Sequence, residues 1–282
     1  MVRVLARLLA LASALGIGFA STATGAPASA APSNQATGEI TVFAAASLTD
    51  AFNDIGERFK AANPNTNVVF NYGASSQLVT QIDQGAPADL FASADQAQMD
   101  RARSLNRIDG QDRTFATNRL VIITPSDNPG RIETPGDLAR PGLRIVTSQP
   151  DVPIGVYTQT MADRMSEDPQ FGAGFKDAFN ANVVSREANV RQIVSKVQLG
   201  EADAAVVYKS DVTPQVVSQV RVIDVPDDYN VLATYPIALV QGARNRSVAD
   251  AFMNYVLSPE GQAVLAAWNF IPIGEPLGPA AP

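Results

Sequence analysis

The chain of 282 residues contains no cysteine and no histidine. Without cysteine there are no disulfides, no thiol nucleophile and no lipid-acceptor cysteine to tether an exported protein. Without histidine a Ser-His-Asp triad is impossible, and no side chain titrates between pH 5 and 8 at its unperturbed pKa. Only carboxylates remain as side-chain metal ligands, and no EF-hand-like spacing of acids occurs. A G-x-S-x-G elbow, an S-x-x-K motif and the Gly-rich phosphate fingerprints are also missing. Positive charge is scarce: 21 Lys and Arg face 28 Asp and Glu, for a formal charge of −7. Such a surface repels polyphosphates, which argues against nucleic acid as a partner.

What is present begins with an export signal. Residues 1–30 carry Arg3 and Arg7, an apolar run from Leu8 to Ala20, and a small-residue ending, Ala28-Ser29-Ala30. The run is shorter than the ~20 residues a spanning helix needs, so the segment reads as a cleaved signal peptide with Ala31 as the mature start. Its removal takes the formal charge to −9. No later segment is apolar enough to span a bilayer, so the mature protein is expected to be secreted across the cytoplasmic membrane, soluble and unanchored. Residues 31–38, APSNQATG, read as a disordered tail.

From residue 40 the pattern alternates between strand and helix, which predicts an α/β protein with mainly parallel sheets. Strands are expected at 40–45, 67–71, 89–92, 119–124, 143–147, 182–185, 204–208, 220–224 and 234–240. Helices are expected at 48–62, 76–84, 95–104, 154–165, 190–199, 248–257 and 259–268. Two loops rich in Pro, Gly, Asp and Asn, PSDNPG and VPDDYN, look like crossings between domains. They divide the chain into lobe I, residues 39–122 and 232–282, and an inserted lobe II, residues 123–231. Two lobes joined by two strands make a hinge with a cleft.

The stretch ITVFAAASLTDAF starts as a buried strand and ends as a helix, with Ser47 at the changeover. Ser47-Leu48-Thr49-Asp50 fits a helix-capping pattern, in which the hydroxyl accepts from the amide of Asp50. A hydroxyl that accepts in this way still has its proton to donate elsewhere. Other helix entrances lie at Ser75-Ser76 in YGASSQL, at Ile154 after Pro153, and at Val190 after an Asn189 cap. Each can be an ordinary helix start. Helix N-termini also expose unpaired N–H groups and a partial positive charge of ~0.5, so several in one cleft form an anion site without Lys or Arg.

Beyond these local readings, ITVFAAASLTDAFNDIGERFK, YGASSQLVTQIDQGAPADLFASADQAQMD, VPIGVY, NVRQIVSKVQLGEADAAVVYKSD and LSPEGQAVLAAW resemble the molybdate-binding proteins of ABC importers through nearly the whole mature chain. The resemblance implies a two-lobed periplasmic-binding-protein fold (type II) that holds molybdate or tungstate by hydrogen bonds. It implies that Ser47 and Ser75 donate from one lobe through hydroxyls and amides. From the other lobe Ile154 and Val190 would give backbone N–H groups and Tyr208 its phenol. Ile154 stands where relatives often carry Ala, a change that a backbone donor tolerates. Tyr208, in AAVVY, also fits an ordinary core strand. The implied partners are the oxyanion and an ABC permease in the membrane, with no cofactor and a monomeric chain. A carrier of sulfate or another oxyanion is the alternative within binding proteins. A secreted hydrolase or transferase, or a subunit for sensing or adhesion, is the alternative outside them.

Overall fold

The computed structural model of the protein describes residues 36–274. The expected signal peptide, and the tail up to residue 35, lie outside the described residues. Alternation of apolar strands with amphipathic helices builds the first sheet from β1 Gly38–Ala45, α1 Thr49–Ala62, β2 Thr66–Gly73, α2 Ser75–Asp83, β3 Leu90–Ala92, α3 Gln96–Ser104 and β4 Ile108–Asn118. In α1, Phe52, Ile55 and Phe59 recur at three- and four-residue steps and are fully buried, the stripe that seats a helix on a sheet. A second sheet with its helices follows: β5 Leu120–Pro125, β6 Ile145–Ser148, α4 Pro153–Glu167, α5 Phe175–Ala181, β7 Val183–Glu187, α6 Val190–Gln198, β8 Ala204–Tyr208, α7 Pro214–Val217 and β9 Val220–Asp224. The chain then returns to the first sheet with β10 Ala233–Val240, α8 Arg246–Val256, α9 Pro259–Ala267 and β11 Ile271–Pro272.

Among the described residues the six-stranded sheet has the order β11-β4-β10-β3-β1-β2, and the five-stranded sheet the order β7-β6-β8-β5-β9. The α/β, two-lobed architecture is as expected, but the sheets are mixed and not mainly parallel. β1 pairs in parallel with β2 and β3, and β6 with β7 and β8, while β5 and β10 run antiparallel to their neighbours. The reason is connectivity. Strands linked by crossover helices run parallel, whereas a strand that enters straight from the other sheet needs no helix to reverse it.

The outgoing crossing corrects the expected boundary at residue 123. β4 ends at Asn118 and β5 begins at Leu120 in the other sheet, so the chain changes lobes at Arg119. The strand RLVIIT therefore belongs to lobe II. β4 itself was not expected, because IDGQDRTFATN is mostly polar, and only Ile108 and its last residues face the core. The return runs through residues 225–232, between β9 and β10.

The crossings sit under a buried aromatic seam. The Tyr235 ring packs edge-on against Phe115, Phe270 and Tyr208, with centroids 6.2, 5.3 and 5.8 Å away. Asn230 closes the return loop: its Oδ1 accepts from the Leu120 amide at 2.9 Å, and its Nδ2 donates to the Leu120 and Val225 carbonyls.

Candidate anion-binding site

The carboxyl ends of parallel strands are where open α/β sheets place ligands, because each strand there feeds the N-terminus of a helix. Both sheets follow this rule. In lobe I, β1 runs into a 3-10 turn, Ala46–Leu48, that leads to α1, and β2 runs into α2. In lobe II, β6 leads to α4, β7 to α6, and β8 ends at Tyr208. The five residues singled out above, Ser47, Ser75, Ile154, Val190 and Tyr208, line one small cavity between the lobes. Ala45, Ala46, Ala94, Pro153 and Asn189 complete most of the wall, and no lining residue carries a formal charge. Ser76, next to Ser75, is not part of the lining.

Local sequence explains each entrance. Pro153 is the first residue of α4, where its missing N–H costs nothing. Gly155 follows because a Cβ there would lie 2.5 Å from Ser148 Oγ and 2.7 Å from the Gln149 carbonyl, so only glycine lets the first turn of α4 close onto β6. Asn189 caps α6, its Oδ1 accepting from the amides of Arg191 and Gln192 at 3.0 and 3.2 Å. The amides of Ile154 and Val190 have no carbonyl one turn earlier to bond within the helix, whereas that of Gly155 is taken by the Val152 carbonyl and those of Arg191 and Gln192 by Asn189.

The two serines differ from a simple capping role. Ser47 makes no capping hydrogen bond; its Oγ lies 3.0 Å from the Tyr235 hydroxyl, and Leu48 and not Ser47 is the N-cap of α1. The capping reading of Ser47 is therefore corrected: the 3-10 turn sets the serine one residue too early to reach the amide of Asp50. Ser75 Oγ accepts from the Ala94 amide at 3.0 Å. A backbone N–H can only donate, so the Ser75 proton is left free for another acceptor.

Tyr208 is the most telling residue. Its hydroxyl is buried and has no hydrogen-bond partner among the described residues. Burial pushes its pKa, like that of Tyr235, well above the usual phenol range, so both remain neutral donors. The ring is held edge-on between Tyr157 and Tyr235. An unsatisfied buried hydroxyl costs free energy unless something accepts from it.

Sequence reasoning did not find the residues that hold the two lobes together around this cavity. Arg191, the second residue of α6, donates from Nη2 to Asp50 Oδ2 at 2.6 Å and from Nε to the Ala46 carbonyl at 3.2 Å. Its Nε is also 3.5 Å from the buried Asp211 Oδ1, which accepts no hydrogen bond, while Asp211 Oδ2 accepts from the Tyr208 amide. Burial raises the Asp211 pKa from 3.8 to about 6, against the opposing pull of Arg191. Asp211 is thus a group that burial moves into the range that the lack of histidine had seemed to leave vacant. Tyr157 Oη donates to the Ala94 carbonyl at 3.3 Å, and Gln98 Nε2 to the Asp151 carbonyl at 3.4 Å, both from one lobe to the other. Signals for these residues were weak: NVRQI shows an arginine beside a helix cap, and Tyr157 in VPIGVY reads as an ordinary helix residue. Among the described residues no cluster of acids fit to hold a metal ion occurs.

The model of the bacterial extracellular solute-binding proteins matches residues 40–271. The molybdate-binding protein ModA of Mycobacterium tuberculosis is 39% identical over 254 residues, covering 90% of this chain and 92% of that protein. ModA of Escherichia coli is 34% identical over 241 residues, covering 83% and 89%. Among solved structures, the substrate-binding domain assigned to a molybdenum ABC transporter of Clostridium difficile superposes with a TM-score of 0.62 at 28% identity, covering 84% of this chain and all of that one. The chain belongs to the bacterial extracellular solute-binding protein family, among the relatives of ModA.

Proposed function

We propose that this protein captures molybdate or tungstate outside the cytoplasmic membrane and presents the closed, loaded form to an ABC permease. The observation that carries the reading is the donor character of an uncharged cavity. The Tyr208 hydroxyl is buried without a partner, the Ser75 proton is left over by the Ala94 amide, and the first turns of α4 and α6 add backbone N–H groups. Fixed neutral dipoles replace an anion's hydration without setting an opposite formal charge beside it, which permits both capture and release. Ser47, Ser75, Ile154, Val190 and Tyr208 are the proposed ligand contacts, supported by their meeting at one cavity.

A protonated anion such as hydrogen phosphate needs an acceptor in its site, and no carboxylate lines this cavity. Sulfate is fully ionised but smaller, so a cleft set for longer metal–oxygen bonds closes fewer donors onto it. The reading assigns no catalytic step, because Ser47 faces a phenol and not a base. Export as a monomer without a lipid anchor, and delivery to a permease, belong to the same proposal. Calorimetry of the exported chain against molybdate, tungstate, sulfate and phosphate tests it. Tight binding of the first two and weak binding of the others is expected; equal affinity for sulfate rejects it.

A further inference from the structure

Each of the two cavity serines has a tie to the other lobe at a carbonyl beside it. At Ser47 the tie is Arg191, whose Nε donates to the carbonyl of the preceding residue, Ala46. At Ser75 it is Tyr157, at the start of the second turn of α4. The Tyr157 hydroxyl donates to the Ala94 carbonyl at 3.3 Å, and the Ala94 amide donates to Ser75 Oγ at 3.0 Å. Both directions are fixed, because a carbonyl oxygen accepts and a backbone N–H donates. Ala94 lines the cavity and Tyr157 does not. Lobe I holds Ala94 from both sides: the Ser93 amide donates to the Pro236 carbonyl at 2.9 Å, and the Asp95 amide donates to Ser93 Oγ at 3.2 Å. In its own lobe Tyr157 packs edge-on against Tyr208, with ring centroids 6.2 Å apart. One side chain thus touches the support of a proposed donor in each lobe, Ser75 through Ala94 and Tyr208 through its ring.

We infer that Tyr157 is a positioning and specificity-determining residue: as a rigid span from α4 to Ala94 it sets how closely the lobes meet around the anion, and so which size of oxyanion the donors fit. The inference rests on the proposed anion-binding function of the cavity. A tyrosine suits this task because its reach is fixed by a planar ring and only two side-chain torsions, where a lysine or arginine would follow the lobes as they move. The hydrogen bond gives the span an end point. A closer approach crowds the hydroxyl against the carbonyl, and a wider gap breaks the bond. Its partners belong to different lobes, so it forms on closure. The other hydrogen bond on this flank, from Gln98 to the Asp151 carbonyl, is exposed and 3.4 Å long, and fixes the gap less tightly. With the gap set in this way, an anion of matching size keeps its donors from both lobes, and a smaller one is left with lengthened bonds.

The test is binding of molybdate, and of sulfate by competition, to the full exported chain, read by calorimetry and stopped flow. Tyr157→Phe keeps the ring against Tyr208 and removes the hydroxyl. Molybdate should associate at the wild-type rate and dissociate faster, with affinity falling roughly two- to tenfold, the range for one hydrogen bond. The molybdate-to-sulfate affinity ratio should narrow, because lobes no longer held to one spacing can settle onto the smaller anion. A merely structural tyrosine would not move this ratio. Ser75→Ala supplies a second readout: with the Ser75 donor gone, the spacing on that flank matters less, and the loss caused by Tyr157→Phe should shrink in the double variant. Tyr157→Met, which also lacks the donor, takes over both measurements if melting shows that Tyr157→Phe does not fold. An unchanged molybdate-to-sulfate ratio overturns the inference and leaves the anion site standing, as does wild-type affinity in Tyr157→Phe or a loss fully additive with that of Ser75→Ala. Wild-type protein that binds neither molybdate nor tungstate overturns the functional reading, and this inference with it.

Discussion

Side-chain donors and backbone donors at the cavity respond differently to substitution, and that difference separates binding from folding. Ser75→Ala and Tyr208→Phe each delete a proton that the proposed function directs at a charged ligand, while keeping most of the packing. Each should weaken molybdate binding by ~1.5–3 kcal/mol, from about tenfold to more than a hundredfold, as measured by calorimetry. Tyr208→Phe should also raise the melting temperature of the ligand-free protein, since it removes a buried hydroxyl that has no partner. Ile154→Ala should do the opposite. Its N–H stays in place and affinity stays near wild type, but its fully buried side chain leaves a cavity that costs ~2–5 kcal/mol in denaturant unfolding. Gly155→Ala leaves every donor in place chemically, yet its Cβ meets Ser148 Oγ and the Gln149 carbonyl, so the first turn of α4 must move. Loss of affinity in this variant, with Ile154→Ala binding normally, shows that the position of the amide is what matters.

At the scale of elements, most helices announced themselves, α5 and the four-residue α7 being the ones missed, and the strands between them did so unevenly. Expected bounds such as 190–199 and 259–268 fall within a residue of the observed α6 and α9, because a cap, Asn189 or Ser258, sits directly before an apolar periodic run. β4 stayed hidden because pairing with β10 holds it, not an apolar face of its own. The helix entrances of the cavity were legible for the same reason as the caps. The group that Ser47 meets was not: Tyr235 lies 188 positions from Ser47 in sequence, and only the fold brings the phenol to the serine. Asp211 was equally hidden, since nothing in KSD signals a carboxylate with no exposure. Its raised pKa carries a definite sign. The folded protein holds this proton up to about pH 6, whereas the unfolded chain releases it near pH 4, so the group's contribution to stability is full below pH 4 and is lost as pH rises to 6. Two units correspond to about 3 kcal/mol. Asp211→Asn removes this term, so its unfolding free energy relative to wild type should rise by an amount of that order between pH 4 and pH 7. A difference that is flat across this range refutes the assignment.

The whole molecule is two sheets on two crossings, and its function depends on how those sheets meet. Arg191 is the central contact: from α6 of lobe II it reaches Asp50 and the Ala46 carbonyl of lobe I, next to the turn that carries Ser47. On the proposed function, the anion and Arg191 close the same gap from two sides, the ligand by bridging donors of both lobes and the arginine by a charge-assisted pair. A ligand shifts a conformational equilibrium only by its differential affinity for the two states, so closure must show in both shape and affinity. Molybdate should reduce the radius of gyration of wild-type protein in small-angle scattering. Arg191→Met removes the arginine's share, leaving closure to the anion and the longer Tyr157–Ala94 and Gln98–Asp151 hydrogen bonds. Its ligand-free radius should equal or exceed that of wild type, and its molybdate-bound radius should still contract. Its affinity should fall mainly through faster dissociation, because encounter with the open cleft is unchanged while the closed state is less stable. Asp50→Asn should share this phenotype more mildly, since the bond to the Ala46 carbonyl survives. The double variant Asp50→Arg, Arg191→Asp restores an ion pair of opposite sense and should recover part of the lost residence time. Stopped-flow displacement of molybdate by excess tungstate measures these rates. Dissociation from Arg191→Met at the wild-type rate would reduce the interlobe pair to a surface contact and leave closure to the anion.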